Sequence, residues 1–325
     1  GVYPPSTYHE WEVIYSEHGD ELPRASVQVR TGIRPRISNA LGGMTAEDAV
    51  EVLRNFRLKT GDGDERLRVG PLKITIDGGY TGPAAWTIEP YRDQPEYFGT
   101  QSISSEDLYL LSKAAHEMGW QMGVHTIGDA AIQMTIDVWE RMLNESPRSD
   151  HRHFLNHFTV MPPPATMRKM ADLDILIAQQ PSFTYTLEGR YRANLVGERL
   201  QTNNAVRTPM DYGIFMAFGS DVLPIGPMVG LYAAVTRKGM DGLVYGKEER
   251  VSMAEAIVAH TRNGAYLTFE EGIKGTLEPG KLADLVVLSD DLLTIRPEEI
   301  LDVQVELTVI NGRVVYERLP ITERH

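Results

Sequence analysis

The feature that most constrains this chain is an alternation, clear from residue 70 onward, of short apolar segments with amphipathic helical ones. Leu72 to Ile76 reads as a strand, followed by a Gly/Pro-rich loop carrying Tyr80, Trp86 and Tyr91. Ser104 opens a helix with Asp107 as a capping-box variant. Its apolar face is Leu108, Leu111, Ala115 and Met118, and Gly119 is the expected terminating residue. Trp120 to His125 is the next strand, and Ile132, Ile136, Trp139 and Leu143 mark the next helical face. Phe154 to Val160, Ile175 to Ala178 and Gly213 to Phe218 continue the strand series, with a helix across Pro162 to Ala171. The polar, aromatic and arginine-bearing stretch from Ser182 to Thr208 reads as an extended loop with some helix, the kind that shapes a pocket. Ser252 and Glu255 form a capping box for a helix running through His260.

Strands separated by helices imply βαβ units and a parallel sheet. With Ala25 to Arg30 included, the series has strands near residues 27, 74, 123, 157, 176 and 216. A (β/α)8 barrel needs two more, and the sequence before residue 25 is too short to hold them. The texture changes after about residue 268: Leu285 to Leu288 and Val305 to Ile310 are short strands, Asn311-Gly312 is a two-residue hairpin signal, and Val314 to Tyr316 returns. The expected organisation is a barrel domain over 1–268 and a small β module over 269–325.

A formal net charge of -13 repels phosphate backbones and anionic headgroups, which argues against nucleic-acid and membrane partners. Cysteine is absent, so neither a disulfide framework nor a thiolate metal site is available. No apolar run approaches a membrane span, and the first residues carry no secretory leader pattern, which points to the cytoplasm. A dimer is the prior for oligomeric state.

Four polar residues stand at or near the ends of the expected strands: Lys73 (nearer the strand start), His125, His157 and Asp221. The C-terminal mouth is where parallel barrels place their active sites. Imidazole and carboxylate suit zinc, manganese, iron, cobalt or nickel. A lysine joins such a set only if its neutral amine takes up carbon dioxide as an anionic carbamate. Singly, each residue has a plainer reading. A strand-end histidine is more often a satisfied hydrogen-bonding group, Lys73 a solvated or ion-paired lysine, and Asp221 a helix cap. The ordered set is what points to a metal site.

At these residues the chain resembles the amidohydrolase superfamily, in particular the YtcJ-like branch, amidohydrolase family 3, which includes N-substituted formamide deformylases. The resemblance runs through Lys73-Ile74-Thr75-Ile76-Asp77-Gly78, Glu89-Pro90-Tyr91, His125-Thr126-Ile127-Gly128-Asp129, Arg152-His153-Phe154-Leu155-Asn156-His157, Gln180-Pro181, Gly197-Glu198-Arg199 and Gly219-Ser220-Asp221. It ends in Pro279-Gly280-Lys281-Leu282-Ala283-Asp284-Leu285 and Asn311-Gly312-Arg313. It implies a (β/α)8 TIM-type barrel, of which strands three to eight lie in this chain, with a β-sandwich built from both chain ends. It further implies a divalent metal, zinc foremost, held by Lys73 (N-carboxylated in many members), His125, His157 and Asp221, with Asp221 as general base.

Two departures accompany it. The first-strand His-x-His of the superfamily has no counterpart upstream of Lys73, so the chain is expected to begin part-way into a longer protein. His151-Arg152-His153 is a textual His-x-His in the sixth-strand motif, hence a decoy, and Asn156 stands where acidic residues are common. The expected function is hydrolysis of an amide-type, non-peptide carbon–nitrogen bond of a small molecule by metal-activated water. Tyr80, Trp86, Tyr91, Gln180 and Arg199 are candidates for substrate contact, with packing under a long loop as the competing role for the aromatics and a structural role favoured for Arg199. The alternatives are a catalytically impaired or regulatory homologue with an incomplete site, and a deaminase or decarboxylase on the same barrel.

Overall fold

A computed structural model describes residues 2–32, 44–221 and 225–318. In chain order its elements are α1 (Tyr8–His18), β1 (Ala25–Val29), α2 (Ala46–Phe56), β2 (Leu67–Thr75), α3 (Ser105–Glu117), β3 (Met122–Thr126), α4 (Asp129–Glu145), β4 (Phe154–His157), α5 (Pro164–Asp172) and β5 (Leu176–Gln179). Four short helices follow, α6 to α9 (Ser182–Thr186, Glu188–Asn194, Gly197–Gln201, Arg207–Asp211), then β6 (Met216–Phe218), α10 (Pro227–Thr236), α11 (Met253–His260) and α12 (Arg262–Leu267). The last elements are β7 (Leu285–Leu288), β8 (Val305–Ile310) and β9 (Arg313–Glu317). They fall into two compact units, Gly1–Ala178 with Gly189–Phe215, and Gln179–Glu188 with Met216–His325.

The first unit is built on the parallel ladder that the alternation implies. Its strands pair in chain order, β1 to β5, with Lys73 beside Gly123, Thr75 beside His125 and His125 beside Asn156. The helices bury the faces read from their periodicity: Leu108, Leu111 and Ala115 on α3, and Ile132, Ile136 and Trp139 on α4, are fully enclosed. Each such leucine or isoleucine side chain contributes about 1.5–3 kcal/mol of transfer free energy, which outweighs the weak intrinsic propensities of β-branched and aromatic residues in α4. Ser104 accepts the Asp107 N–H as expected of a cap, and Gly119 takes the left-handed φ that ends the helix. Ile177 N–H donates to the Phe215 carbonyl within the first unit, and Gly219 N–H to the Gln179 carbonyl within the second.

Several boundaries differ from the sequence reading. β2 begins five residues earlier, at Leu67, so Lys73 lies near its C-terminal end rather than its start. β4 stops at His157 instead of Val160, because His157 and Phe158 both take positive φ (86° and 53°) and leave the extended conformation. The stretch after Ser182 is helical in four short pieces rather than mainly loop. Helices α1, α2 and α10 were not foreseen.

In the second unit α10 packs on α6, α11 and the turn at Pro297–Asp302. β7, β8 and β9 form an antiparallel three-stranded sheet. Asn311 and Gly312 both take left-handed φ at its hairpin, the geometry that makes Asn-Gly a turn signal. Among the described residues no helix is long and apolar enough to cross a membrane.

Candidate functional site

Parallel strands present their C-terminal ends along one edge of the sheet. On that edge of the first unit stand Lys73 on β2, His125 on β3 and His157, the last residue of β4. Register alone would separate the two histidines. His157 pairs with Thr126, one residue past His125, and neighbours along a strand point to opposite faces. The positive φ of His157 breaks that alternation. The two rings meet edge to face, 4.4 Å between centroids. A non-glycine residue held in the left-handed region costs on the order of 1 kcal/mol or more, and such strain concentrates at functional sites.

The chemistry of His125 is that of a free ligand. One hydrogen bond reaches the Gly78 backbone, while Nε2 is buried and has no partner. Burial, with the nearby Lys73 ammonium adding to it, pushes the imidazole pKa down to about 3. The ring is therefore neutral at ordinary pH and keeps a lone pair. A backbone bond on one nitrogen and a vacant second nitrogen is how metal-bound histidines are commonly oriented. The donor set of this unit thus fits a divalent cation at two imidazoles. Lys73 as an ammonium opposes a cation there, and conversion to a carbamate would reverse that sign. Among the described residues no three His, Asp or Glu side chains gather as a ready-made metal cluster.

Two buried carboxylates that the sequence reading had not singled out hold this edge in place. Asp77, just past the end of β2, accepts N–H bonds from Trp86 (3.0 Å), Ile127 (3.0 Å) and Gly128 (2.8 Å). Its Oδ1 lies 3.9 Å from His125 Nε2. Burial raises its pKa to about 7 against the pull of those three donors. Asp129, at the start of α4, accepts from Ile88 (2.9 Å) and Ala130 (3.1 Å). The segment at Trp86 is thereby pressed onto the turn after β3. A Cβ on Gly128 would sit 1.9 Å from the Trp86 carbonyl oxygen, so only glycine fits. Asp77 shares the period-two face of Lys73 and Thr75, a signal that the strand pattern did contain.

The remaining candidates are placed as follows. Tyr80 and Tyr91 are buried, with ring centroids 5.5 Å apart, and the Tyr91 hydroxyl donates to Ala85. Trp86 is half-buried beside the Asp77 clamp. Arg199 donates to the carbonyls of Glu89 (3.0 Å) and Pro90 (2.8 Å), tying α8 to the loop before α3. Gln180 and Asp221 belong to the second unit. Gln180 is buried after β5, and Asp221, exposed after β6, takes a left-handed φ of 60°.

The textual His-x-His lies at the opposite end of β4. His153 Nδ1 accepts the Met122 N–H (3.0 Å), so the neutral ring carries its proton on Nε2 and donates to His116 Nδ1 (2.9 Å). His116 Nε2 then donates to the Ser146 carbonyl (2.8 Å). His151 Nδ1 accepts the His153 N–H and its Nε2 donates to Leu173, each at 3.0 Å. Every ring nitrogen of the three is used. Burial lowers all three pKa values, that of His151 to about 4.

A family profile described as "Amidohydrolase family" matches residues 17–316. YtcJ of Bacillus subtilis (strain 168) is 32% identical over 257 residues, 78% of this chain and 48% of that protein. An N-substituted formamide deformylase of Arthrobacter pascens is 29% identical over 258 residues, 78% of this chain and 46% of that one. The chain thus spans about half the length of these relatives. In fold it is similar to an uncharacterized metal-dependent hydrolase from Pyrococcus horikoshii, at a TM-score of 0.72 and 20% identity, over 89% of this chain and 55% of that one.

Proposed function

From the premise that the chain belongs to the amidohydrolase family, we propose that it carries the larger part of the active site of a metal-dependent hydrolase acting on an amide-type, non-peptide carbon–nitrogen bond of a small molecule. The observation that carries this reading is the pair His125 and His157, converging at 4.4 Å with the buried Nε2 of His125 left vacant. The site is proposed to hold one or two divalent metals, zinc foremost, with Lys73 N-carboxylated. The architecture proposed is a (β/α)8 barrel to which 1–268 contributes, with 269–325 as part of a composite β-sandwich.

A metal held there supplies Lewis acidity towards a carbonyl and makes water acidic enough to deprotonate near neutral pH. The chain's own groups do the rest. His125 stays neutral and is fixed as a ligand by its Gly78 bond, with the His157 ring beside it. Lys73 as a carbamate contributes negative charge. Asp221 takes the proton from the attacking water and returns it to the leaving amine, a role supported by the resemblance of Gly219-Ser220-Asp221 to the family motif. Tyr80, Trp86, Tyr91, Gln180 and Arg199 are the proposed surroundings of the substrate. The formamide deformylase among the relatives makes N-formyl compounds the first substrates to try.

The test is a zinc or cobalt titration of the 325-residue chain by calorimetry, alongside hydrolysis of N-formyl, N-acyl and cyclic amide panels after metal supplementation. His125→Ala and His157→Ala should abolish binding, and Asp221→Asn should keep the metal and lose turnover. Metal affinity unchanged in both histidine variants would sink the proposal. Metal binding without hydrolysis of any amide would favour a catalytically impaired or regulatory homologue.

A further inference from the structure

We infer that Asp77 is a positioning residue for His125, setting the turn behind that imidazole so that Nε2 is presented to the metal. This deepens the proposed function and rests on it for the identity of the bound group. Asp77 spends Oδ1 on the Ile127 N–H and Oδ2 on the N–H groups of Gly128 and Trp86. Ile127 and Gly128 are the second and third residues after His125, so the carboxylate grips the chain immediately behind the ligand. Its own strand is gripped from the other side, since Ile76 N–H donates to the His125 carbonyl at 3.1 Å. His125 is thus held at its backbone by β2, at its ring by Gly78 and at its following turn by Asp77.

The free direction of the ring points back at the same carboxylate. His125 Nε2 and Asp77 Oδ1 are 3.9 Å apart, too far for a hydrogen bond. The Ile127 N–H already occupies Oδ1. Asp77 therefore places Nε2 beside a carboxyl oxygen without closing it off. A carboxylate is needed for this, because three donors converge and an amide offers only one acceptor oxygen. Asp129 provides the contrast. It clamps the same loop through Ile88 and Ala130 but grips nothing behind His125.

The experiment compares Asp77→Asn with Asp129→Asn in the full chain, first without metal and then with cobalt. In metal-free protein, ¹⁵N spectra of labelled histidine should show the His125 Nε2 resonance displaced in Asp77→Asn, while those of His116, His151 and His153 stay in place. The cobalt dissociation constant of Asp77→Asn should rise about 10–100-fold, the range found for partners that orient metal ligands. Asp129→Asn should leave it within about twofold, as for an uncoupled site. An unmoved His125 resonance with unchanged affinity overturns the inference. So does weakened cobalt binding with an unmoved metal-free spectrum, which would make Asp77 a ligand, and so does an equal effect of Asp129→Asn. If Asp77→Asn does not fold, amide exchange at Ile127 and Gly128 in the unaltered chain decides, since binding at His125 must reciprocally protect the turn that Asp77 holds. Exchange unaffected by zinc overturns the inference. Failure of the unaltered chain to bind cobalt overturns the proposed function instead, and the metal-free spectra still decide the role of Asp77.

Discussion

Two groups of histidines occupy opposite ends of the same strands, and their hydrogen bonds separate them. At the N-terminal end of β4, His116, His151 and His153 form a closed circuit in which each neutral ring has one donor and one acceptor satisfied. At the C-terminal end, His125 keeps a buried nitrogen without a partner, and His157 reaches it through a strained backbone. The first group has nothing left to offer a ligand. The second carries an unmet demand, which is costly in a folded protein unless something meets it. Residue type is the same in both, so the bookkeeping of donors and acceptors is what tells structure from function.

The largest expected effect is that of acid, which both groups feel, since the His125 pKa is also pushed down, to about 3. The closed circuit has pKa values depressed below the ordinary 6.5. Its contribution is full above that pH and is lost as the pH falls below it, because the unfolded chain then binds protons that the folded chain refuses. Each histidine costs roughly 1.4 kcal/mol per pH unit in that window. Asp77 works the other way. Its pKa is raised to about 7 from 3.8, so it weakens the fold as pH rises through that range and offsets about one histidine. The urea midpoint should therefore drop steeply between about pH 6.5 and 4.5, and a flat profile would remove the circuit's supposed neutrality.

Truncation comes next. His153→Ala empties a buried site and strands the Met122 N–H and His116 Nδ1, so a loss of about 3–5 kcal/mol is expected in urea unfolding. His125→Ala strands nothing on the Nε2 side and should cost less than about 1 kcal/mol. Equal costs would erase the distinction. Metal should then act on one group alone. Zinc at a hundred times its dissociation constant should stabilise the chain by about 2.7 kcal/mol, read as a higher melting temperature, and should do nothing for His125→Ala. A comparably small effect is expected for His151→Asn. The asparagine oxygen can still accept the His153 N–H, so only the bond to Leu173 is lost, at about 1 kcal/mol.

Much of this scaffold was legible because burial imposes a period. The faces of α3 and α4 and the strands β1, β3, β5, β7 and β8 follow from residues such as Leu108, Trp139 and Val305. Helix α1 escaped because Tyr8 is its only buried side chain. Helix α10 escaped for the opposite reason, being buried on most sides and so lacking a polar face. The strand-end residues Lys73, His125 and His157 could be named from the alternation, and the family motifs named them too. The turn that swings His157 towards His125 could not, since it is a backbone conformation with no side-chain signature. Asp77 falls on the Lys73 face, but its role was hidden because its partners at Ile127 and Gly128 lie about fifty residues further on.

The close approach at Gly128 also bears on how such a site could diversify. No side chain fits there without displacing the Trp86 carbonyl, whereas Gly82, on the same loop, has open space around it. Saturation libraries should therefore return glycine alone at position 128 and nearly any residue at position 82. The fold therefore tolerates variation around Thr81 and Gly82 where it tolerates none at the clamp.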